Sequence, residues 1–179
     1  VEVPEGAAVE LVALLLQRHR TVAVAESLTG GLLASALVDV PGASAVFRGG
    51  LVVYATDLKA TLAGVPADLL TERGPVDAEV ALELARGAAM TCRADHGLAT
   101  TGVAGPDPQD GKPVGLVYVA GYGPAGRQVR ELRLTGGRPA IRHGAVTGAL
   151  TLLTELLQSE LPIRPAPPGR AARPGRRNA

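Results

Sequence analysis

The stretch Thr21-Val22-Ala23-Val24-Ala25-Glu26-Ser27-Leu28-Thr29-Gly30-Gly31-Leu32-Leu33-Ala34-Ser35-Ala36-Leu37-Val38 decides how this chain is read. Residues 21–25 are small or β-branched, with no polar alternation, the pattern of a strand buried on both faces. From about 30 to 39 the leucines and alanines read as a helix, closed by Pro41-Gly42. A carboxylate, two hydroxyls and two glycines therefore sit between the carboxyl end of a buried strand and a helix. In an α/β sheet ligands bind at that junction, because backbone N–H groups and the helix dipole face the crevice.

Upstream, Val9, Val12, Ala13, Leu15 and Leu16 mark a helix over 5–19 whose apolar face is expected to cover the sheet. Downstream, residues 50–55 predict a second strand, followed by a short helix over 57–62 with Thr56 or Asp57 as its cap. A further short helix over 66–73 is broken by Gly74-Pro75, and Asp77 is placed to cap a long helix to about residue 94. Residues 97–101 read as a third strand ending in Gly102-Val103-Ala104-Gly105-Pro106. Residues 114–122 and 129–134 predict an antiparallel pair turning around 123–126. A last helix over 139–160 carries Ile141, Ala145, Ala149, Leu152, Leu153 and Leu156 on its core face. This order predicts an α/β fold, a three-layer α/β/α sandwich around a mixed sheet, as a single domain over residues 1–161.

Composition narrows the function classes. The 179 residues are 46% hydrophobic, enough for one well-buried core. No apolar run approaches the ~18–20 residues of a membrane span, and no basic segment with a cleavage motif opens the chain. The single Cys92 cannot form an internal disulfide, which fits a reducing compartment, so a cytoplasmic location away from membranes is expected. His19, His96 and His143 are scattered without ligand spacing, so no metal or other cofactor is expected. Residues 162–179 hold five arginines and no acid, leaving thirteen bases against seventeen acids in the rest. This Arg/Pro tail has almost nothing to bury and reads as disordered and solvated. With 2% aromatic residues the acidic body offers no base-stacking platform, which argues against nucleic-acid binding.

Ser27 is either a helix cap or a nucleophile. Capping serines are common, but Thr29 can cap the same helix, and Gly30-Gly31 lets a substrate approach the backbone closely. As a nucleophile, Ser27 would find an oxyanion hole in the N–H groups of Leu28, Gly30 and Gly31. No histidine stands at another strand end, so a Ser-His-Asp triad is not expected. The available base is Lys59. The chain uses sixteen arginines and only two lysines, Lys59 and Lys112, and lysine, unlike arginine, can lose its proton when desolvated. Adjacent strands would bring Lys59 to Ser27, with Tyr54 orienting or relaying the proton. Position alone equally allows an exposed Lys59 and a core Tyr54 with a wet hydroxyl.

The segment Thr100-Thr101-Gly102-Val103-Ala104-Gly105-Pro106 repeats the grammar of the first junction, and its N–H groups can form an anion-binding nest. Residues 107–112 form a polar loop that could act as a flap, with Lys112 read as solvated. Arg138 opens the last helix and Arg142 follows one turn later, at the wrong end of the helix dipole unless an anion such as phosphate lies there.

Taken in order, Ala25-Glu26-Ser27-x-Thr29-Gly30-Gly31, Tyr54…Lys59, Thr101-Gly102-x-Ala104-Gly105-Pro106, Lys112-Pro113-Val114-Gly115 and Gly137-Arg138…Arg142 resemble the C-terminal domain of the competence/damage-inducible protein CinA, the nicotinamide-nucleotide amidase family. The resemblance covers roughly residues 5–160. It implies hydrolysis of the carboxamide of nicotinamide mononucleotide to nicotinate mononucleotide and ammonia, in pyridine-nucleotide recycling, by a metal-free homodimer. It implies a serine–lysine pair, carried here by Ser27 and Lys59, a tyrosine role for Tyr54, a hydroxyl role for Thr101 and an arginine contact for Arg142. Thr29, Gly30, Gly31, Gly102, Gly105 and Arg138 complete the expected substrate site. Leu28 stands where relatives often have cysteine, and Thr56-Asp57 replace a more usual Ser-Asn. Many members also carry an N-terminal molybdopterin-binding-like domain, which the 179 residues do not include. The alternative is a non-catalytic nucleotide-binding or regulatory module linked to competence or DNA damage, for which Lys59 would be dispensable.

Overall fold

Strand β1 (Val22–Glu26) is buried at every residue because it has a parallel neighbour on each side and a helical layer on each face. Its neighbours are β2 (Phe47–Val52) and β3 (His96–Gly102), and the sheet runs β2-β1-β3-β4-β5. β4 (Leu116–Gly123) is antiparallel to β3 and β5 (Gly126–Arg133) to β4, so the sheet is mixed. The computed structural model describes residues 5–160; the expected Arg/Pro tail over 162–179 lies outside the described residues.

Helices α1 (Glu5–Arg18), α2 (Leu32–Val38) and α6 (Arg138–Ser159) cover one face. They share a core in which Leu15, Leu33, Val24, Leu98, Val119 and Leu153 meet. On the other face α5 (Ala78–Cys92) crosses β1, β3 and β4, beside the short helices α3 (Thr56–Thr61) and α4 (Ala67–Arg73). The second core joins Ala25, Ala99 and Ala120 of the sheet to Leu84, Ala85 and Ala88 of α5. This is the expected three-layer α/β/α arrangement in one domain.

Three local expectations need correction. The buried stripe of α1 is Ala8, Leu11, Val12 and Leu15, whereas Val9 is half exposed and Ala13 and Leu16 face outward. A spacing of three and four residues from Ala8 makes one stripe, and Val9 falls off it. β2 starts at Phe47 and stops at Val52, three residues earlier than its apolar run suggests. The register pairs Phe47 with Val22 and Val52 with Glu26, with a bulge at Arg48, and the carbonyls of Val53 and Tyr54 are drawn off by a side chain. Neither Thr56 nor Asp57 caps α3, whose N-cap is Ala55 without a side-chain bond. Asp77 does cap α5, accepting from the Glu79 N–H at 2.8 Å.

The carboxyl ends of β1, β2 and β3 point the same way. The loops that follow them therefore open at one end of the sheet, and α6 begins beside them, its Arg138 bonding to the Gly105 carbonyl.

Candidate active site

The buried end of β1 needs an explanation for Glu26, a carboxylate with no exposed surface. Its two oxygens accept from the N–H groups of Gly31 (3.0 Å), Leu33 (3.0 Å) and Ala34 (2.8 Å). Those are donors that α2 leaves open at its first turn, so Glu26 anchors the helix and places its charge at the positive end of the dipole. Thr29, expected as the cap, instead shares a 2.8 Å bond with Thr100 Oγ1, both fully buried. The expected oxyanion donors also change. The Gly31 N–H is held by Glu26 and the Gly30 N–H bonds Ser27 O at 3.2 Å. The Leu28 N–H has no partner among the described residues.

Ser27 follows Glu26 with its N–H bonded to Thr100 O at 3.0 Å. Its hydroxyl meets Lys59 Nζ at 3.1 Å. Lys59 is 1% exposed, and Nζ also donates to the carbonyls of Val53 (2.7 Å) and Tyr54 (3.3 Å). Three partners match the three hydrogens of an ammonium. Burial pulls the Lys59 pKa down from 10.5 to about 8, although the Asp57 carboxylate acts to raise it. The scarce lysine thus lies buried beside the serine with its proton loosened, and the parallel β1–β2 pairing is what joins them.

A cleft of about 560 Å³, counting its open mouth, lies over this pair. Thr101 is buried at its wall and donates its hydroxyl hydrogen to Pro75 O at 2.6 Å, so only lone pairs are left for a ligand. Gly102 sits where the strand alternation turns its N–H away from β4. Val103 bonds Leu116, so Gly102 falls in the non-bonded pair and faces the β1 side beyond the last β1 rung. A Cβ at Gly102 would come within 2.7 Å of the Leu116 oxygen. Gly105 has φ +83°, and its carbonyl accepts from Arg138 Nη1.

Arg138 Nη2 donates to Tyr54 Oη at 3.0 Å. Two of its five N–H groups are used and no acid pairs it among the described residues, so the rest can take an anion at the cleft mouth. Tyr54 is 60% exposed; its hydroxyl faces Arg138, while only its main-chain oxygen touches Lys59. The expected proton relay through the phenol is not formed. Arg142 departs further from expectation. It does not line the cleft, and its guanidinium binds inward to the carbonyls of Leu28 (2.9 Å) and Thr29 (2.7 Å).

Pro75, Val76, Thr56, Asp107 and Gln109 also line the cleft; Asp107 and Gln109 belong to the loop expected as a flap, and sequence reasoning assigned the other three no place in the site. Gln109 and Lys112 pair through both backbone groups around Asp110-Gly111, both with positive φ. The Asp-Gly turn was the available signal for this small hairpin beside the cleft. No cluster of three metal-ligating side chains occurs among the described residues.

A mixed-sheet α/β domain with a serine–lysine contact at the carboxyl ends of its parallel strands is a well-defined class. The chain belongs to the CinA C-terminal domain family, whose model matches residues 5–157. It is 54% identical over 144 residues to a CinA-like protein of Frankia casuarinae, covering 80% of this chain and 33% of that protein. A CinA-like protein of Geobacter sulfurreducens is 48% identical over 145 residues, covering 80% and 35%. The chain spans about a third of the length of these curated relatives. Among solved structures, the competence/damage inducible protein CihA of Agrobacterium tumefaciens superposes with a TM-score of 0.81 at 38% identity, covering 87% of this chain and 95% of that one. A CinA superfamily protein of Klebsiella pneumoniae gives 0.83 at 29%, covering 86% and 97%.

Proposed function

We propose that this domain is an amidohydrolase that converts nicotinamide mononucleotide to nicotinate mononucleotide and ammonia. The observation that carries the reading is the buried Lys59 Nζ, 3.1 Å from Ser27 Oγ, with its pKa brought down to about 8. Once Lys59 is neutral, its two N–H groups stay on the Val53 and Tyr54 carbonyls and its lone pair faces the Ser27 hydroxyl. Lys59 takes that proton as Oγ forms a bond to the carboxamide carbon. The Leu28 and Gly102 N–H groups stabilise the oxyanion, and Thr101 Oγ1 accepts from the amide NH₂. The C–N bond then breaks, and the Lys59 proton leaves with the nitrogen as ammonia. Water, deprotonated by Lys59, cleaves the ester and restores Ser27. Arg138 lines the cleft with N–H groups to spare, and that supports a substrate with a 5′-phosphate over free nicotinamide.

The test is ammonia release from nicotinamide mononucleotide by the purified protein. Ser27→Ala abolishes it, and undiminished turnover by that variant removes Ser27 from the mechanism. Lys59→Ala separates the catalytic reading from a binding-only module. Loss of turnover with retained nucleotide binding supports catalysis, whereas no turnover by the unaltered protein with tight nucleotide binding supports the module.

A further inference from the structure

We infer that Arg142 is a positioning residue, not a substrate contact, and that it locks the turn presenting the Leu28 N–H as oxyanion donor. The inference rests on the reading of Ser27 as nucleophile.

Four observations carry it. Arg142 Nε and Nη2 bond two successive carbonyls, Leu28 O and Thr29 O, at 2.9 and 2.7 Å. Adjacent carbonyls aimed at one point repel each other, and a planar cation with forked donors relieves that repulsion at a fixed angle. Gly30, at φ +58°, packs under the guanidinium, where an added Cβ would lie 3.5 Å from Nη2. The Gly30 N–H closes the turn onto Ser27 O at 3.2 Å. Finally, Glu26 holds the next N–H, that of Gly31, at 3.0 Å.

The consequence follows from peptide planarity. Arg142 sets the 28–29 and 29–30 peptide planes, and the second of these aims the Gly30 N–H at Ser27 O. Ser27 O belongs to the same trans peptide as the Leu28 N–H, so that N–H points the other way, out of the turn. A backbone N–H directly after a nucleophile at a strand-to-helix turn is well placed for the developing oxyanion. Releasing the carbonyls frees the peptide to rotate and removes the donor while leaving Ser27 and Lys59 in place.

The experiment compares the unaltered protein with Arg142→Gln and Arg142→Lys, each checked for native circular dichroism. One readout is steady-state hydrolysis of nicotinamide mononucleotide and of the phosphate-free riboside. The other is phosphonylation of Ser27 by a small alkyl fluorophosphonate, in which Oγ bonds phosphorus, fluoride leaves and Lys59 takes the proton. A positioning residue lowers kcat on the order of a hundredfold in Arg142→Gln for both substrates, with KM little changed. It slows phosphonylation in parallel, and Arg142→Lys retains part of both rates. A rise in KM confined to the phosphorylated substrate, with normal phosphonylation, overturns the inference in favour of a phosphate contact. Should the unaltered protein label at Ser27 yet leave the nucleotide intact, the substrate reading fails alone, and slower labelling of Arg142→Gln still supports the positioning role. Absence of labelling in every form overturns both.

Discussion

In the proposed mechanism Lys59 is the residue whose protonation sets the chemistry. Burial depresses its pKa to about 8, while Asp57 opposes the shift. Only the neutral amine is a base, so kcat/KM climbs about tenfold per pH unit below that value and levels off above it. Roughly a tenth of the sites are competent at pH 7. Asp57→Asn removes the opposing charge and moves the rising limb to lower pH, weakly because Asp57 is exposed and its charge is screened. Lys59→Arg keeps its proton and is inactive throughout. A flat profile between pH 6 and 9 sinks the assignment, provided ammonia release is the step measured. Lys59 was legible because lysine is scarce here and stands one turn into the helix after the second strand. The role of Tyr54 was not, since a phenol at that position reaches a base or an arginine according to where α6 begins.

At the scale of elements, α2 is a helix of seven residues held by a carboxylate in the preceding strand. Capping patterns look for a side chain two or three residues before the N–H it serves, and Glu26 serves donors five, seven and eight residues on. Thr29 fitted the pattern and Glu26 did not, so the sequence pointed to the wrong residue. Glu26→Gln puts an NH₂ group against N–H donors in a buried position. It should destabilise the protein by about 1–3 kcal/mol, read as a lower urea midpoint with unchanged slope. An unchanged midpoint would mean that the carboxylate is not what anchors α2. The early end of β2 has a related cause, because Lys59 claims the Val53 carbonyl, which faces β1 and would have continued the ladder.

At the scale of the molecule, the site depends on α5 lying hard against the sheet. A Cβ on Gly97 would sit 1.8 Å from the Ala85 carbonyl oxygen, and one on Gly87 would sit 1.7 Å from that of Ala63. These two glycines let α5 approach β3 on one side and the α3–α4 connection on the other. Gly97→Ala must push α5 away from the strand that carries Thr101 and Gly102. It should cost at least ~2 kcal/mol in stability and lower the melting temperature by several degrees. Retention of full stability would show that α5 can shift without loss of packing. Among the described residues, no helix is long and apolar enough to cross a membrane.

The sequence by itself determined the element order, the three layers and the two glycine loops at neighbouring strand ends, and it singled out Ser27 and Lys59 as candidates, whereas their 3.1 Å contact came from the tertiary structure. The first three follow from local periodicity, turn chemistry or the parallel adjacency that such an order imposes. Only the tertiary structure decided which N–H groups remain free and where each arginine points. Gly30 and Gly31 looked like open donors until Ser27 and Glu26 were seen to hold them. Arg138 and Arg142 are one turn apart, yet one faces the cleft and the other clamps carbonyls more than a hundred residues away in the chain. Hydrogen bonds between such distant segments depend on ångström-scale placement of packed elements, and no local pattern in the chain encodes that placement.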